Sequence, residues 1–293
     1  MSGVFVIWHD LSDPNDPKLD ALAEQYHLHP LHVEDCRQRN QRAKVEEGVG
    51  YIFVVAKPVH VNDAGELEIT DLDVFLGRDY VITVQEGACP SLRTHLDKLH
   101  AAADQPPPDQ LFYKIMDGMV DAYAPVLDWF NEAIDAIEDV VLEKPSPATL
   151  QRIFDLKRGL IELRHVLTNM RDVASHLQRL ETDLIQRDLW PYLRDIYDHV
   201  VRDVEMVEMH RDLLAGAMDI YLSSVANRTN QVMKVLTVLG TIALPAIVIS
   251  GFYGMNTTDL PWVDSRYATE IAAALMVITT VGLLILLKKF DWF

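Results

Sequence analysis

The chain has 293 residues, 44 Asp and Glu against 26 Lys and Arg, and a formal charge of −18. That balance argues against a nucleic-acid partner and favours cations, although a solvated acidic surface accounts for much of the count. The length allows one large domain or two modest ones, and Cys36 and Cys89, in no metal-binding spacing, suit buried reduced thiols.

Residues 1–108 predict a small α/β domain. "VGYIFVVAKPVHV" and "ITDLDVFLGRDYVITVQE" are β-branched and aromatic runs bounded by Asn-Asp, Gly and Pro signals. "DPKLDALAEQYHL" and "CPSLRTHLDKLHAAA" have helical apolar spacing, the second stopped by Pro106, Pro107 and Pro108. No apolar, positively led N-terminus suggests a cleaved signal.

After the triple proline the pattern becomes helical throughout. Residues 109–143 read as one helix ending at "EKPSPATL", where Pro145 breaks the run and Ser146-Pro147 supply the cap and first turn of the next. The next helix is expected over residues 148 to about 187, antiparallel to its predecessor because the connection is short. Residues 109–189 are thus read as an antiparallel helical pair. From Pro191 to Phe252 only Pro245 interrupts the helical pattern. A helix of about sixty residues reaches roughly 90 Å, which is far beyond a globular core. It reads as a stalk over residues 190–254, burying its apolar stripe against copies of itself in a symmetric oligomer.

Two charge-free windows, residues 235–254 and 271–287, close the chain. Their lengths match a bilayer core at 1.5 Å per residue. We read them as two spans, about 234–254 and 270–288, joined by an external loop over residues 255–269 and followed by a short tail, 289–293. Arg228 and Lys234 precede the first span, Lys288 and Lys289 follow the second, and the loop holds Asp259, Asp264 and Glu270 against Arg266. The positive-inside rule then places both termini in the cytoplasm of a cell that carries the protein in its plasma or inner membrane. Residues 228–293 hold five basic and four acidic groups, which leaves −19 on everything before them.

The first span ends in Tyr253-Gly254-Met255-Asn256. Unpaired carbonyls and a negative macrodipole end gather there, and Asn256 adds a neutral amide oxygen. In a ring of subunits this makes a collar of uncharged oxygens that suits a divalent ion keeping its water shell. A plain Gly-Asn turn is the alternative on spacing alone. Along the same helix Asn230, Met233, Thr237, Gly240, Leu244, Ile247 and Gly251 recur every three or four residues and share a face.

"YGMN" at the end of the first of two C-terminal spans resembles the signature of the CorA family of magnesium transporters, the two-span GxN class. "DIYLSSVANRTNQVMKVLTVLGTIALP" (219–245), "LRDIYDH" (193–199) and "HPLHVED" (29–35) are also similar to stretches of its bacterial members, so the likeness runs from about residue 29. It implies an α+β membrane protein, a funnel-shaped homopentamer whose long stalk helix continues as the pore-lining span. It also implies passive Mg2+ uptake, with Co2+ and Ni2+ as secondary substrates. By the same resemblance Gly254, Met255 and Asn256 form the external selectivity ring and Asn230 the inner mouth. Met233, Leu236 and Leu244 form an apolar constriction that closes by dewetting. One departure stands out: Ile247 occupies a position where the bacterial proteins carry a threonine.

The resemblance further implies a regulatory Mg2+ held between neighbouring subunits that closes the pore. Glu34, Asp35, Asp117 and Asp195 match the positions of its ligands. Carboxylates facing across an interface repel until a divalent ion bridges them, so metal biases the assembly toward one arrangement. "HLHPLH" places His27, His29 and His32 together, yet no Cys or HExxH accompanies them to complete a zinc site. No GxxxxGK[ST] loop supports ATP-driven transport, and no nucleophile–His–acid spacing supports an enzyme. Two alternatives remain: a relative of the ZntB zinc transporters, and a two-span signalling receptor, for which the loop of about 16 residues is short.

Overall fold

The computed structural model describes residues 6–38, 41–86, 89–102, 106–143, 146–255, 261 and 265–290. It divides into two compact units, Met1–Asp219 and Ile220–Phe293.

The first unit opens with β1 (Ile7–Leu11), α1 (Lys18–Tyr26) and α2 (Pro30–Arg37). β2 (Lys44–Gly48), β3 (Tyr51–Ala56), a small hairpin of β4 (Val59–Val61) and β5 (Leu67–Ile69), β6 (Asp71–Gly77) and β7 (Tyr80–Glu86) follow. Five strands form one sheet in the order β1-β7-β6-β3-β2, with β1 parallel to β7 and the rest antiparallel. β3 and β6 are buried along their whole length, so both faces must be covered, and this is why β3 reads as an unbroken apolar run and β6 as one interrupted by Asp73. Leu19, Leu22, Val33 and Cys36 of α1 and α2 pack with Phe53, Phe75, Ile82 and Val84 on one face. After α3 (Pro90–His100), α4 (Pro108–Asp121) lies against β6 and β7. Both cysteines are buried and free. The sheet also buries Lys57 against Asp71, with Asp73 beside them at 2% exposure.

The helices after the triple proline depart from the sequence expectation twice. The run 109–143, expected as one helix, is two: α4 ends at Asp121 and α5 (Ala124–Glu143) begins beyond Tyr123. Pro125 has no N–H for the carbonyl of Asp121, so the ladder breaks there. Tyr123, fully buried, anchors the corner by donating its hydroxyl to the Lys57 carbonyl at 2.8 Å.

α6 (Pro147–Leu177) starts as expected, with the Ser146 side chain accepting from Thr149 N at 3.2 Å. It stops ten residues short of the expected end near Arg187. Thr182 Oγ1 accepts from Leu184 N, and the buried Asp109 of α4 accepts from Gln186 N at 3.1 Å. Side-chain acceptors there outcompete the helical ladder. α5 and α6 run in opposite directions, and Gly159 lies so close to Phe130 that a Cβ there would stand 2.9 Å from its ring. A 3-10 turn (Arg187–Leu189) leads into α7 (Trp190–Tyr253), a 64-residue helix within which the boundary between the two units falls.

The second unit comprises the rest of α7 and α8 (Ala268–Lys289). Both helices are long and apolar enough to span a membrane. Buried core helices are the competing reading, and exposure decides against it: Ile247 is 66% and Ile278 70% exposed. The hydroxyls of Thr237, Thr241, Ser250 and Thr279 all donate to carbonyls of their own helix. A medium without water requires that self-sufficiency.

Candidate functional site

The end of α7 is closed by Gly254 N donating to Ser250 O at 2.8 Å and Met255 N to Phe252 O at 3.3 Å. A Cβ on Gly254 would stand 2.8 Å from the Ser250 carbonyl oxygen, so only glycine fits this turn without displacement. The Tyr253 hydroxyl donates to the Pro261 carbonyl at 3.4 Å, tying the turn to the following segment. Met255 is 53% exposed. Asn256 lies outside the described residues, as do Asp259, Trp262 and Asp264.

Within the apolar part of α7 Pro245 and Ile249 are buried, with Val238 and Thr241 among the half-buried positions. At 100° per residue these share one side. Asn230, Met233, Leu236, Gly240, Leu244, Ile247 and Gly251 are exposed, and Thr237 is half-buried beside Thr241, one turn away on the same face. Among the described residues a Cβ on Gly240 or Gly251 would meet nothing within 4 Å, so packing against them does not account for either glycine. In α8, Ala268, Ala272, Met276, Thr280, Leu283 and Leu287 are half-buried at helical spacing.

In the first unit, the four carboxylates singled out from the sequence fall in two places. Glu34 and Asp35 sit on α2, which His29 caps by accepting from Leu31 N at 3.2 Å and Pro30 opens. Glu34 is exposed and accepts from Gln38 Nε2. Asp35 is half-buried, and Lys44 Nζ of β2 donates to its Oδ2 at 2.7 Å. His32 stands between Tyr51 and Glu46, at 2.8 and 2.9 Å. Its burial holds the imidazole below its ordinary pKa, partly opposed by the Glu46 charge. These groups line an open cleft of about 770 Å3.

Asp117 of α4 and Asp195 of α7 belong to a second cluster with Tyr113, Asp121, His199 and Asp203. Burial, then the charge of Asp121, raises the Asp117 carboxyl, while a hydrogen bond from Tyr113 opposes them. Burial pushes Asp203 up to about 6, with Asp121 adding and His199 and Arg202 opposing. His199 lies 3.6 Å from Asp195 and 4.0 Å from Asp121. Sequence reading missed Asp121, His199 and Asp203. Their signal was present as i, i+4 spacing, Asp117 to Asp121 and Asp195 to His199 to Asp203, which places each set on one helix face. Among the described residues no three His, Cys, Asp or Glu side chains are arranged to hold a metal within one chain.

Comparison with known proteins covers nearly the whole chain. The family model described as a CorA-like Mg2+ transporter protein matches residues 5–289. The cobalt/magnesium transport protein CorA of Thermotoga maritima is 36% identical over 278 residues, 94% of this chain and 79% of that protein. A putative metal ion transporter of Bacillus subtilis, YfjQ, is 32% identical over 98% of this chain and 89% of its own length. The complete structure of the CorA magnesium transporter from Methanocaldococcus jannaschii superposes with a TM-score of 0.86 at 22% identity, covering 98% of this chain and 91% of that one. This last likeness shows the shared fold.

Proposed function

The chain belongs to the CorA family of Mg2+ transporter proteins, and from that premise we propose that it passes Mg2+ passively across a membrane as a homopentamer, with Co2+ and Ni2+ as further substrates. The uncovered face of α7 carries the reading. Its exposed stripe from Asn230 to Gly251 ends at a turn that only glycine can make. Two spans per subunit are too few to enclose a pathway, and copies around an axis would bring that face inward.

In this reading Gly254, Met255 and Asn256 form the outer collar. Mg2+ gives up its water reluctantly, so hydrogen bonds to bound water are easier to offer than direct ligands. A neutral collar also releases the ion more readily than a ring of carboxylates. Met233, Leu236, Leu244 and Ile247 form the apolar stretch that shuts by dewetting. The Thr237 hydroxyl, already donated to the Met233 carbonyl, contributes only its lone pairs. With both termini cytoplasmic, the membrane potential draws the ion inward with about 4.6 kcal/mol per 100 mV for a double charge. Flux in reconstituted vesicles tests the ion: Mg2+ entry competed by Co2+ is expected, and Zn2+ entry in preference to Mg2+ would replace this reading with the ZntB-like one.

Two half-sites act as the sensor. Glu34 and Asp35 of one subunit meet Asp117 and Asp195 of the next, and cytoplasmic Mg2+ between them holds the closed arrangement. Asp121 beside Asp117, and Asp195 near it, add their negative charge to the same cluster, which supports a face that gains from a bridging cation. Mg2+ is expected to protect the wild-type protein from proteolysis and to lose that effect in Asp35→Lys/Asp195→Lys. Equal protection of both proteins would defeat the sensor assignment.

A further inference from the structure

We infer that Lys44 is a built-in counter-cation for Asp35, which Mg2+ has to displace and which thereby sets the concentration at which the sensor closes; the inference rests on the sensor reading above. Lys44 projects from β2 toward α2 and stands between two carboxylates. Its Nζ is 2.7 Å from Asp35 Oδ2 and 2.9 Å from Glu46 Oε1. Neither end of the Asp35 pair is free in solvent: the side chains are 28% and 18% exposed. Screening by water and salt is correspondingly weaker than for a surface pair.

The arrangement is anchored from behind. Glu46 is held through its other oxygen, Oε2, by His32 Nε2 at 2.9 Å, and His32 Nδ1 is 2.8 Å from the Tyr51 hydroxyl. Tyr51 in turn accepts from His29 N at 2.8 Å. Glu46 is therefore fixed in place whether or not Lys44 is bound to Asp35. When a dication takes Asp35, the ammonium keeps one carboxylate and need only swing away from the other.

Two consequences follow from this swap. In the absence of metal, Asp35 is neutralised within its own subunit, so the empty interface carries less repulsion than its formal charges imply. In the presence of metal, the site binds Mg2+ more weakly than a bare carboxylate would, because a positive charge must be moved or tolerated nearby. Weak binding suits a sensor that has to let the ion go again. Glu34, exposed, accepts from the neutral Gln38 amide.

The test is Mg2+ titration of protease protection on the full-length protein in detergent or nanodiscs, with folding checked by thermal unfolding without metal. Lys44→Met is expected to lower the half-protecting Mg2+ concentration about five- to tenfold, the equivalent of one partly shielded ion pair. Lys44→Arg, which keeps the charge, is expected to restore the wild-type midpoint within about twofold and guards against a Lys44→Met protein that folds poorly. Arg37→Gln is the control. It removes a positive charge from α2, the helix that carries Asp35, where Arg37 pairs with Asp20 rather than Asp35, and is expected to shift the midpoint less than about twofold. Asp35→Asn separates the two levels. If Asp35→Asn leaves protection unchanged, the sensor reading itself fails. If Asp35→Asn weakens protection while Lys44→Met stays at the wild-type midpoint, or moves no further than Arg37→Gln, the counter-cation role is overturned and the sensor stands.

Discussion

Gly254→Ala is expected to reduce Mg2+ uptake by about tenfold or more while leaving the protein folded and assembled, because tolerances at such a site are about half an ångström. The added Cβ would stand 2.8 Å from the Ser250 carbonyl oxygen. That oxygen belongs to the backbone and already accepts the Gly254 N–H at 2.8 Å, so no side chain can swing aside to relieve the clash. The turn itself must open, carrying Met255 and the following asparagine away from the axis they are proposed to surround. The loss falls on conduction rather than stability, since the turn is exposed and covers no core. Gly251→Ala supplies the contrast. Among the described residues of its own chain a Cβ there meets nothing within 4 Å, so any loss of uptake at Gly251 reports on neighbouring subunits. Uptake into proteoliposomes, read with an internal Mg2+ indicator, measures both. Wild-type flux in Gly254→Ala would remove the outer collar from the mechanism.

The second large effect is expected in the sheet, where Asp73→Asn should stabilise the first unit increasingly as pH rises. Asp73 is 2% exposed and its Oδ1 has no hydrogen-bond partner. The single ammonium of Lys57 is bound to Asp71 on the same strand. One positive charge cannot neutralise two buried carboxylates, so burial first, and the Asp71 charge second, push Asp73 up to about 8; the Cys36 thiol and Lys57 oppose this in part.

The folded pKa lies above the ordinary 3.8, so folding takes up a proton at any pH between the two. Below about 4 both states are protonated and the group costs nothing. Between about 4 and 8 the cost rises toward roughly 1.4 kcal/mol per pH unit, and above 8 it is constant. Coupling to Asp71 spreads the proton over both groups, so a total of a few kcal/mol is the expected scale. Asparagine has the same shape and does not titrate. Thermal unfolding at pH 5, 6.5 and 8 should therefore show the mutant gaining on the wild type at each step. A difference that does not change with pH would show Asp73 ionised throughout.

The parts of this protein legible in the sequence are those whose determinants are local. The two spans and the long α7 are written as apolar runs without breakers, because a backbone in hydrocarbon must satisfy its own hydrogen bonds and a helix does so within one segment. β3 is legible for a related reason: covered on both faces, it is apolar at every position, and β6 is legible through its run Leu72–Leu76, broken only by Asp73. β1, α2 and β2 escaped notice as elements. Each is only 5 to 8 residues long, and β1 and β2 are strands only by virtue of the neighbours they pair with. The proline at position 125 carried the break between α4 and α5, but an apolar pattern continuous across it hid the signal. The early end of α6 was punctuated locally only by Thr182, which accepts from Leu184 N; Asp109, which accepts from Gln186 N, lies 77 residues away in sequence.

The same division runs through the candidate site. Asn230 to Gly251 could be placed on one face from spacing alone, because the helical period is a property of the backbone. Only the fold showed that Pro245 and Ile249 are shielded while the members of the stripe other than Thr237 stay exposed in the single chain. Four carboxylates among 44 acids were picked out by resemblance, not by physics. Folding then joined Asp117 and Asp195 to Asp121, His199 and Asp203, and set Lys44 against Asp35. Periodicity is short-ranged and survives in the sequence, whereas electrostatic partnership depends on distances that exist only once strands and helices have packed.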